Sequence, residues 1–461
     1  MAISLLPENP GAWPQHRFED LLALGKAERE ALQLRALQLR FEWLKDRLPA
    51  LGKLATQQGI ARIERLSDAL PLYFDHRVLK NYPLSIIENR DFARLTAWLN
   101  KHTTHDLTRV DLSGLVTLDD WIDRLEAFGM IIGTSSGTTG KLSFVARSRD
   151  EFAAWRAHYH ETQRMATGVD TYTTKMETFF PGYRSGHQMM LKMMQLFNTE
   201  AAGGPDHYHT LYDEKMPSDL MALSGRLQAA EDKGEIERLG LDPALLEQRQ
   251  RMIAAGRRKE QDMEAWFRKL IEEYRGQRIK IGGPFSELFR VARSGMAKGL
   301  KCSFAPGSVL MGGGGMKGYK DAPDDWEEIV KQFFGISKLA NLYGFSECMG
   351  NSPLCDAGYF HVFPYTIPTL LDSNAEELPR QGVQKGRLAV FDLLAETCWG
   401  GFISGDEVTL HWDETCACGH GGPRIEKNVR RYSEMEGGDD KITCAGSAQA
   451  YNEFMEYVMG N

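Results

Sequence analysis

Short apolar segments followed by glycine-rich or polar turns are the feature of this sequence that most constrains its fold. Three of them occupy Ile279–Ile281, Ser308–Met311 and Leu339–Tyr343, and they alternate with turns after long helical stretches rich in charged residues. Strands that alternate with helices favour a sheet with helices packed on its faces. The sequence therefore predicts an α/β fold with mixed sheets flanked by helices.

The composition excludes several classes of protein. A chain of 461 residues can form two or three domains with a large core, and 42% of its residues are hydrophobic and 26% charged. A net charge of -8 provides no general basic field for nucleic acid or an anionic membrane. The N-terminal residues do not resemble a signal peptide, and no apolar stretch approaches the length of a membrane span. We therefore expect a cytoplasmic protein whose seven cysteines stay reduced.

Changes in pattern along the chain predict four regions. Residues 1–120 are a helical region, with amphipathic spacing from Phe18 to Leu48 that Pro49 should end, and a second helix around residues 61–74. Residues 121–372 form the α/β core, which includes long charged helices between residues 206 and 277. Residues 373–446 form a small β subdomain, and residues 447–461 form a short helix.

A run rich in glycine and hydroxyl residues, from Ile131 to Lys141, begins with a short apolar strand. Freed backbone N–H groups, hydroxyls and one ammonium are suited to wrapping a polyphosphate. The run does not fit the P-loop pattern, because Thr138 occupies the position of the second glycine and Leu142 follows the lysine. The run predicts a phosphate-binding loop of another type, and a flexible hairpin turn is the alternative.

This run resembles the phosphate loop of the adenylate-forming (acyl-activating, AMP-binding) superfamily. That loop has two hydroxyl residues followed by Gly, a hydroxyl residue, Thr, Gly and Lys, and residues 135–141 match at every position. The resemblance implies that Thr138 and Lys141 act at the reacting phosphate. The other loop residues that it assigns to ATP are Ser135, Ser136, Gly137, Thr139 and Gly140.

Further motifs follow in the order found in that superfamily. An apolar strand that runs into glycines is similar to its adenine-binding segment, with a hinge as the alternative, and the segment from Tyr343 to Glu347 is similar to its Tyr-Gly-x-Ser/Thr-Glu motif. By this resemblance Glu347 helps to hold Mg²⁺, since a carboxylate beside a triphosphate needs a shared cation. The other residues assigned to the nucleotide are Gly313, Gly314, Gly315, Tyr343, Gly344 and Ser346.

Two more residues resemble the ribose contacts of the superfamily. Ser404-Gly405-Asp406 is similar to its Ser/Thr-Gly-Asp motif, whose Asp accepts hydrogen bonds from both ribose hydroxyls. Arg431 is similar to the arginine of its hinge motif, although Arg430 replaces the usual glycine and the Asp pair at 439–440 lies further along the chain. The resemblance implies that Asp406 and Arg431 both contact the ribose.

Cysteines and a histidine near these motifs suggest a metal site. Cys355 precedes His361, and Cys416 and Cys418 form a Cys-x-Cys pair further on. Three thiolates and one imidazole complete a tetrahedral Zn²⁺ shell. The spacing matches no standard zinc finger, but it is similar to segments of phenylacetate–CoA-ligase-like members. His420 and Cys348 are competing ligands, and reduced cysteines without a metal are the alternative.

Within the superfamily, the chain is most similar to phenylacetate–CoA-ligase-like and luminescence acyl-protein-synthetase-like members. The interval in which the family places its acyl pocket contains Tyr183 and His187, which we assign to the carboxylate substrate. We expect the usual C-terminal mobile domain, with its catalytic Lys, to be absent. Lys141, Lys317 and Lys441 are the candidates that could replace this Lys.

The resemblance implies an AMP-forming carboxylate ligase. Such an enzyme uses ATP and Mg²⁺ to convert a carboxylic acid to an acyl adenylate and pyrophosphate, and passes the acyl group to a thiol of CoA or of a partner protein, or to an amine. A non-catalytic protein that binds a nucleotide or an acyl adenylate is the alternative. A kinase or P-loop ATPase is disfavoured by the failed P-loop pattern. The acid, the acceptor and a homodimeric state stay open, and we expect no nucleic-acid or membrane partner.

Overall fold

A computed structural model describes residues 4–135, 141–234, 236, 243–316, 322–413, 415–435 and 447–459. The described chain divides into two compact units. Unit 1 contains the described parts of Met1–Ser135, Lys141–Thr162 and Gly344–Asn461, and unit 2 contains the described part of Gln163–Tyr343. The predicted boundaries at residues 120, 372 and 446 stay predictions.

The helices and strands are numbered separately in chain order. The helices are α1 Phe18–Leu22, α2 Lys26–Leu44, α3 Pro49–Gln58, α4 Leu84–Glu88, α5 Phe92–Leu99, α6 Leu118–Ala127, α7 Arg149–Thr167, α8 Met189–Met193, α9 Thr199–Ala202, α10 Ser218–Asp232, α11 Pro243–Glu273, α12 Phe285–Ala297, α13 Trp326–Phe334 and α14 Ala448–Met459. The strands are β1 Phe74–Asp75, β2 Met130–Thr134, β3 Phe144–Ser148, β4 Glu177–Gly186, β5 Tyr208–Met216, β6 Ile279–Pro284, β7 Val309–Gly313, β8 Leu339–Tyr343, β9 Ser352–Pro353, β10 Tyr359–His361, β11 Thr366–Leu371, β12 Val383–Asp392, β13 Gly401–His411, β14 Arg424–Glu426 and β15 Arg430–Arg431. None of the described helices combines the length and hydrophobicity that crossing a membrane requires.

Unit 2 is built on a parallel sheet with the strand order β5-β4-β6-β7-β8. The strands predicted around Ile279, Ser308 and Leu339 are confirmed as β6, β7 and β8. Consecutive residues of β4 enter different apolar clusters, because side chains alternate across a strand. Phe179 packs with residues of α11, α12 and α13, and Phe180 packs with Leu191 and Tyr208. Both faces of the sheet are therefore covered, as parallel sheets require.

Unit 1 is built on a seven-stranded sheet that is largely antiparallel. Its main path runs β10-β14-β13-β12-β11, and β1 and β15 both pair with β13. The strands predicted at Arg387–Leu393 and Glu407–Trp412 are confirmed as parts of β12 and β13. Unit 1 also contains the antiparallel pair β2 and β3, in which Thr134 lies opposite Phe144.

Two predictions for the N-terminal region were wrong. Pro49 does not end the first amphipathic helix but begins α3, since the first turn of a helix needs no N–H donor from its proline. The helix predicted around residues 61–74 is a 3₁₀ segment over Leu66–Leu72 followed by β1. Pro71 lies inside that segment, and proline removes the hydrogen bond that an α-helix would need there.

The stretch between residues 206 and 277 also differs from its prediction. It was expected to consist of charged helices, and α10 and α11 confirm that part. However, it opens with the edge strand β5, which pairs with β4. This strand was not predicted because it contains the charged residues Asp213, Glu214 and Lys215. Charged residues are nevertheless common on sheet edges.

The contact between α12 and α13 provides a test of packing in unit 2. A Cβ atom at Gly295 would lie 2.4 Å from the Cε2 atom of Phe333. We therefore expect Gly295→Ala to lower the free energy of unfolding by about 1–3 kcal/mol, because the ring must shift in a packed core. As a matched control, Gly256→Ala in α11 has nothing within 4 Å of the new Cβ and should raise stability by about 0.5–1 kcal/mol. Chemical denaturation of both variants checks the difference, and equal effects would contradict it.

Candidate functional site

The pair β2 and β3 closes the base of the predicted phosphate loop. The Ser135 N–H donates to the Ser143 carbonyl at 3.2 Å, and the Ser143 N–H donates to the Ser135 Oγ at 2.9 Å. The two ends of the loop are therefore held together by backbone and hydroxyl groups. The loop residues that lie outside the described residues are Ser136, Gly137, Thr138, Thr139 and Gly140.

Lys141 ends the predicted loop and is attached to Tyr82. Its Nζ donates to the Tyr82 carbonyl at 2.8 Å and lies 5.5 Å from the centre of the Tyr82 ring. The Tyr82 hydroxyl in turn donates to the Leu142 carbonyl at 2.8 Å. Partial burial lowers the pKa of Lys141. The ammonium expected at a phosphate thus anchors the exit of the loop in this state, and no sequence motif marked Tyr82 as its partner.

Glu347 is half-buried and lines a cavity with apolar walls in unit 1. The walls include Phe74, Phe144 and Trp399. Burial raises the pKa of the Glu347 carboxyl, and the positive charges of Lys80, Arg147 and Arg431 oppose that rise. The carboxylate therefore lies in a poorly solvated place surrounded by cations.

Lys80 and Arg147 are additions to the site that the sequence analysis missed. Lys80 belongs to a short 3₁₀ segment, and Arg147 lies on β3, the strand that follows the predicted phosphate loop. Neither belongs to a recognisable motif, since each reaches Glu347 only through long-range folding. The positive charges of Lys80 and Arg147 both lower the pKa of Glu347.

Asp406 and Arg431 meet across neighbouring strands. They are register partners on β13 and β15, and the Arg431 Nε donates to the Asp406 Oδ1 at 3.2 Å. The Asp406 side chain is only 8% exposed, whereas that of Arg431 is 41% exposed. Arg431 also lowers the pKa of Glu347. Unit 1 therefore joins Asp406 and Arg431 directly, and the charge of Arg431 also acts on Glu347.

Gly344 and Ser346 belong to the same motif as Glu347. A Cβ atom at position 344 would lie 2.1 Å from the Asn351 Oδ1, so any other residue there would require the Asn351 side chain to move. Ser346 is half-buried next to Glu347 in the chain. The close approach of Asn351 gives a structural reason for this glycine that is independent of any ligand.

Unit 2 contains the predicted adenine segment, which lies at the carboxyl ends of strands in its sheet. Gly313 ends β7 and Tyr343 ends β8, and these two strands are parallel neighbours. Gly314 and Gly315 have φ values of +76° and +58°, which side chains other than glycine rarely adopt. Ligands of open α/β sheets bind outside the carboxyl ends of the strands, where these residues lie. Lys317 lies outside the described residues.

The two residues assigned to the acid also lie in unit 2. The half-buried Tyr183 ring packs 5.0 Å from the Tyr212 ring and contacts the cluster around Phe180. His187 follows the carboxyl end of β4, is 4% exposed, and has its Nδ1 3.1 Å from the Lys192 Nζ. The buried lysine was not predicted, because it lies among methionines in the sequence.

The predicted metal ligands form a compact cluster in unit 1. The ligand atoms of Cys355, His361, Cys416 and Cys418 all lie within 4.8 Å of one another. The Cys355 and Cys416 Sγ atoms are 3.8 Å apart, and the His361 Nε2 is 3.2 Å from the Cys418 Sγ. Two sulfurs bound at 2.3 Å to a tetrahedral zinc would be about 3.8 Å apart, so these donors fit the ion.

Two similar turns and a strand pair build this cluster. In the first turn the Cys355 N–H donates to the Tyr359 carbonyl, and in the second the Cys416 N–H donates to the His420 carbonyl. His361 is on β10, which pairs with β14, and it is fully buried. The imidazole of His420, a competing ligand in the sequence, packs against the rings of Phe18 and His361 instead. Cys348 is not a member of this group among the described residues.

The whole sequence matches no family model and no curated protein. Among solved structures, an open conformation of 2-hydroxyisobutyryl-CoA ligase in complex with 2-HIB-AMP and CoA is 13% identical, with a TM-score of 0.52. The match covers 95% of this chain and 76% of that chain. The chain has the adenylate-forming ligase fold.

Other solved structures match a smaller part of the chain. The amide bond synthetase McbA from Marinactinospora thermotolerans is 14% identical, with a TM-score of 0.33, and the match covers 65% of this chain and 49% of that chain. The anthranilate CoA ligase AuaEII in complex with anthranoyl-AMP is 9% identical, with a TM-score of 0.36, and the match covers 66% and 48%. The assignment of the adenylate-forming fold rests on the first match.

The raised pKa of Glu347 makes a prediction about stability. An ionised carboxylate in this poorly solvated place destabilises the folded chain, so Glu347→Gln should raise the melting temperature by about 2–4 °C at pH 8. The gain should shrink as the pH falls through the raised pKa towards the ordinary value of 4.5, because the folded wild type then takes up a proton. Thermal unfolding between pH 4.5 and pH 8 measures it. The exposed control Glu42→Gln should show no shift, and a destabilised Glu347→Gln at pH 8 would count against the account.

Proposed function

We propose that the chain activates a carboxylic acid with ATP and Mg²⁺, and forms an acyl adenylate and pyrophosphate. The observation that carries the proposal is the cluster of Glu347, Asp406 and Arg431, which come from three separate motifs and meet in unit 1. A cluster with one half-buried carboxylate, one nearly buried carboxylate and one partly exposed guanidinium is suited to a nucleotide with a bound cation.

Each residue of the cluster has a role in this proposal. Asp406 accepts hydrogen bonds from the ribose hydroxyls, because an ionised carboxylate is an acceptor with two oxygens. Arg431 orients that carboxylate and presents its exposed edge to the ribose. Glu347 is the residue that would hold Mg²⁺, which supplies positive charge to the triphosphate. In unit 2, Gly313, Gly314, Gly315 and Tyr343 are assigned to adenine. In unit 1, Gly344 and Ser346 are assigned to the nucleotide.

The reaction moves negative charge onto the leaving pyrophosphate. The acid oxygen attacks the α-phosphorus, the bond to the bridging oxygen breaks, and pyrophosphate leaves with the electron pair. Lys80 joins Lys141, Lys317 and Lys441 as a candidate for stabilising that charge, because it is close enough to lower the pKa of Glu347. One of the three N–H donors of Lys141 is used by the Tyr82 carbonyl in this state. Ser135, Ser136, Gly137, Thr138, Thr139 and Gly140 are assigned to the phosphates in this proposal.

The acyl acceptor in this proposal is a thiol, with CoA as the first candidate and a partner protein as the second. The 2-hydroxyisobutyryl-CoA ligase structure is a complex that contains CoA, which supports the first candidate. The acid itself is assigned to Tyr183 and His187, where a buried imidazole lies beside the Lys192 ammonium. The ammonium would attract the carboxylate, and the Tyr183 ring suits an acid that has an apolar body.

Carboxylate-dependent exchange of labelled pyrophosphate into ATP tests the proposal. We expect exchange with at least one acid in a broad panel, and we expect Asp406→Asn to lower it by about 10²-fold, since the ribose loses an anionic acceptor. Asp46→Asn is the matched control, because Asp46 is exposed and lies outside the sequence motifs. This variant should leave exchange unchanged. Measurable ATP binding without exchange for any acid would favour the non-catalytic nucleotide-binding alternative.

A second proposal concerns the cysteine cluster. We propose that Cys355, His361, Cys416 and Cys418 hold a structural Zn²⁺ ion. The distances between the sulfurs and the partial burial of the site support a closed four-ligand shell. The ion would tie the turn at residues 355–359 to the turn at residues 416–420, and would stabilise the adjacent strands β10 and β14.

Zinc content provides the test of this second proposal. We expect about one equivalent of zinc for each chain, because three thiolates and an imidazole form a preferred zinc shell. Cys416→Ala should lose the ion and lower the melting temperature, and Cys302→Ala, which removes a buried thiol of unit 2, should retain it. Elemental analysis and thermal unfolding measure both effects. A Cys416→Ala protein that still binds one equivalent would exclude this ligand set.

A further inference from the structure

Two buried charges hold the backbone on either side of Cys348. Arg147 on β3 is fully buried, and its Nη2 donates to the Glu347 carbonyl at 2.7 Å. Asp392 at the end of β12 is also fully buried, and its Oδ2 accepts from the Met349 N–H at 2.8 Å. The same Arg147 nitrogen lies 4.0 Å from the Asp392 Oδ2. The peptide segment 347–349 is therefore clamped between a cation and an anion that also attract each other.

The remaining partners of Arg147 fix the direction of its guanidinium. Its Nη1 donates to the Cys398 Sγ at 3.3 Å and lies 3.6 Å from the Glu151 Oε1. Glu151 is held in turn by the N–H groups of Glu396 and Thr397, at 2.6 and 2.9 Å. A planar guanidinium can serve these separated acceptors at once, whereas a lysine ammonium cannot.

The charges of this clamp depend on one another, so removing one of them would destabilise the folded chain. One guanidinium faces two carboxylates, and both carboxylates also accept backbone N–H donors, as buried charges require. Removing the cation would leave two anions without their shared counter-charge. In this arrangement the guanidinium is shared by both carboxylates, and the hydrogen bonds at residues 347 and 349 fix the backbone position from which the Glu347 side chain starts.

We propose that Arg147 and Asp392 are positioning residues that set the place of the Glu347 carboxylate for Mg²⁺. The inference rests on the proposed function, because it assigns Glu347 to the metal. Oxygen ligands of Mg²⁺ must meet strict octahedral geometry, so a small displacement of the Glu347 backbone weakens metal binding. Arg147 also lies on the strand that leads away from the loop exit at Lys141. Strand β3 thus connects the loop exit at Lys141 with the clamp that holds the Glu347 backbone.

A pair of arginine variants separates positioning from general stability. Arg40 supplies the matched control, because it is a mostly buried arginine that donates to the Leu393 carbonyl at 3.1 Å and pairs with Glu396, without touching residues 347–349. We expect Arg147→Lys to weaken Mg·ATP binding at least tenfold and to raise the Mg²⁺ concentration for half-maximal binding at least tenfold. Arg40→Lys should lower the melting temperature and keep Mg·ATP affinity within twofold. Titration calorimetry at several Mg²⁺ concentrations measures both.

The outcomes distinguish the two levels of the proposal. An Arg147→Lys protein with wild-type Mg·ATP affinity overturns the positioning role, and so does an Arg40→Lys protein with an equal loss. If the wild type itself does not bind Mg·ATP, the proposed function fails, and crystal structures of the wild type and Asp392→Asn then test the clamp alone. We expect the backbone of residues 347–349 to move by about 1 Å or more in that variant, and an unmoved backbone overturns the clamp. Asp392→Asn also replaces Arg147→Lys in the binding experiment if the lysine variant does not fold, with the same expected loss.

Discussion

The buried guanidinium of Arg147 is the interaction on which the interior of unit 1 depends. It lies among Glu151, Asp392 and the Glu347 carbonyl, so it joins β3, α7, β12 and the segment after β8. A buried ion pair contributes little net stability, but breaking it by removing one partner costs about 3–5 kcal/mol. The network is therefore better understood as a device that specifies one arrangement of these segments than as a source of stability.

In the candidate nucleotide site, the Arg147 network holds the backbone of Glu347, a residue whose burial is unfavourable. Glu347 faces a cavity with apolar walls, and its ionised form is disfavoured by burial. Strain of this kind is common where a charged ligand completes the site, because the surroundings are built for the bound state. The positive charges of Arg431 and Lys80 oppose this effect of burial. The Asp406–Arg431 contact is more conventional, since it follows directly from strand register.

The sequence predicted those parts of the fold that depend on local pattern. Short apolar runs predicted β6, β7 and β8. The resemblance assigned Glu347, Asp406 and Arg431 to the nucleotide and its cation. The structure pairs Arg431 with Asp406, and the assignment to a nucleotide stays a prediction. The predicted phosphate loop from 136 to 140 stays a prediction, because it lies outside the described residues.

Other parts could not be predicted, because they depend on contacts between distant residues. Arg147 carries no motif, and only the folded chain places its guanidinium 2.7 Å from the Glu347 carbonyl. Tyr82 was missed for the same reason, since its backbone carbonyl rather than its side chain receives Lys141. Pro49 was misread because proline both ends helices and begins them, and the choice depends on residues that pack around it. Long-range backbone partners leave little trace in a single sequence.

The nucleotide product of a single turnover tests the central claim most directly. The chain is mixed with ATP labelled at the α-phosphate, a panel of carboxylic acids, and hydroxylamine to trap activated acyl groups. The account predicts equal amounts of AMP and pyrophosphate, together with the hydroxamate of the responding acid. Release of ADP and inorganic phosphate would contradict it, because those products require attack at the γ-phosphate rather than at the α-phosphate.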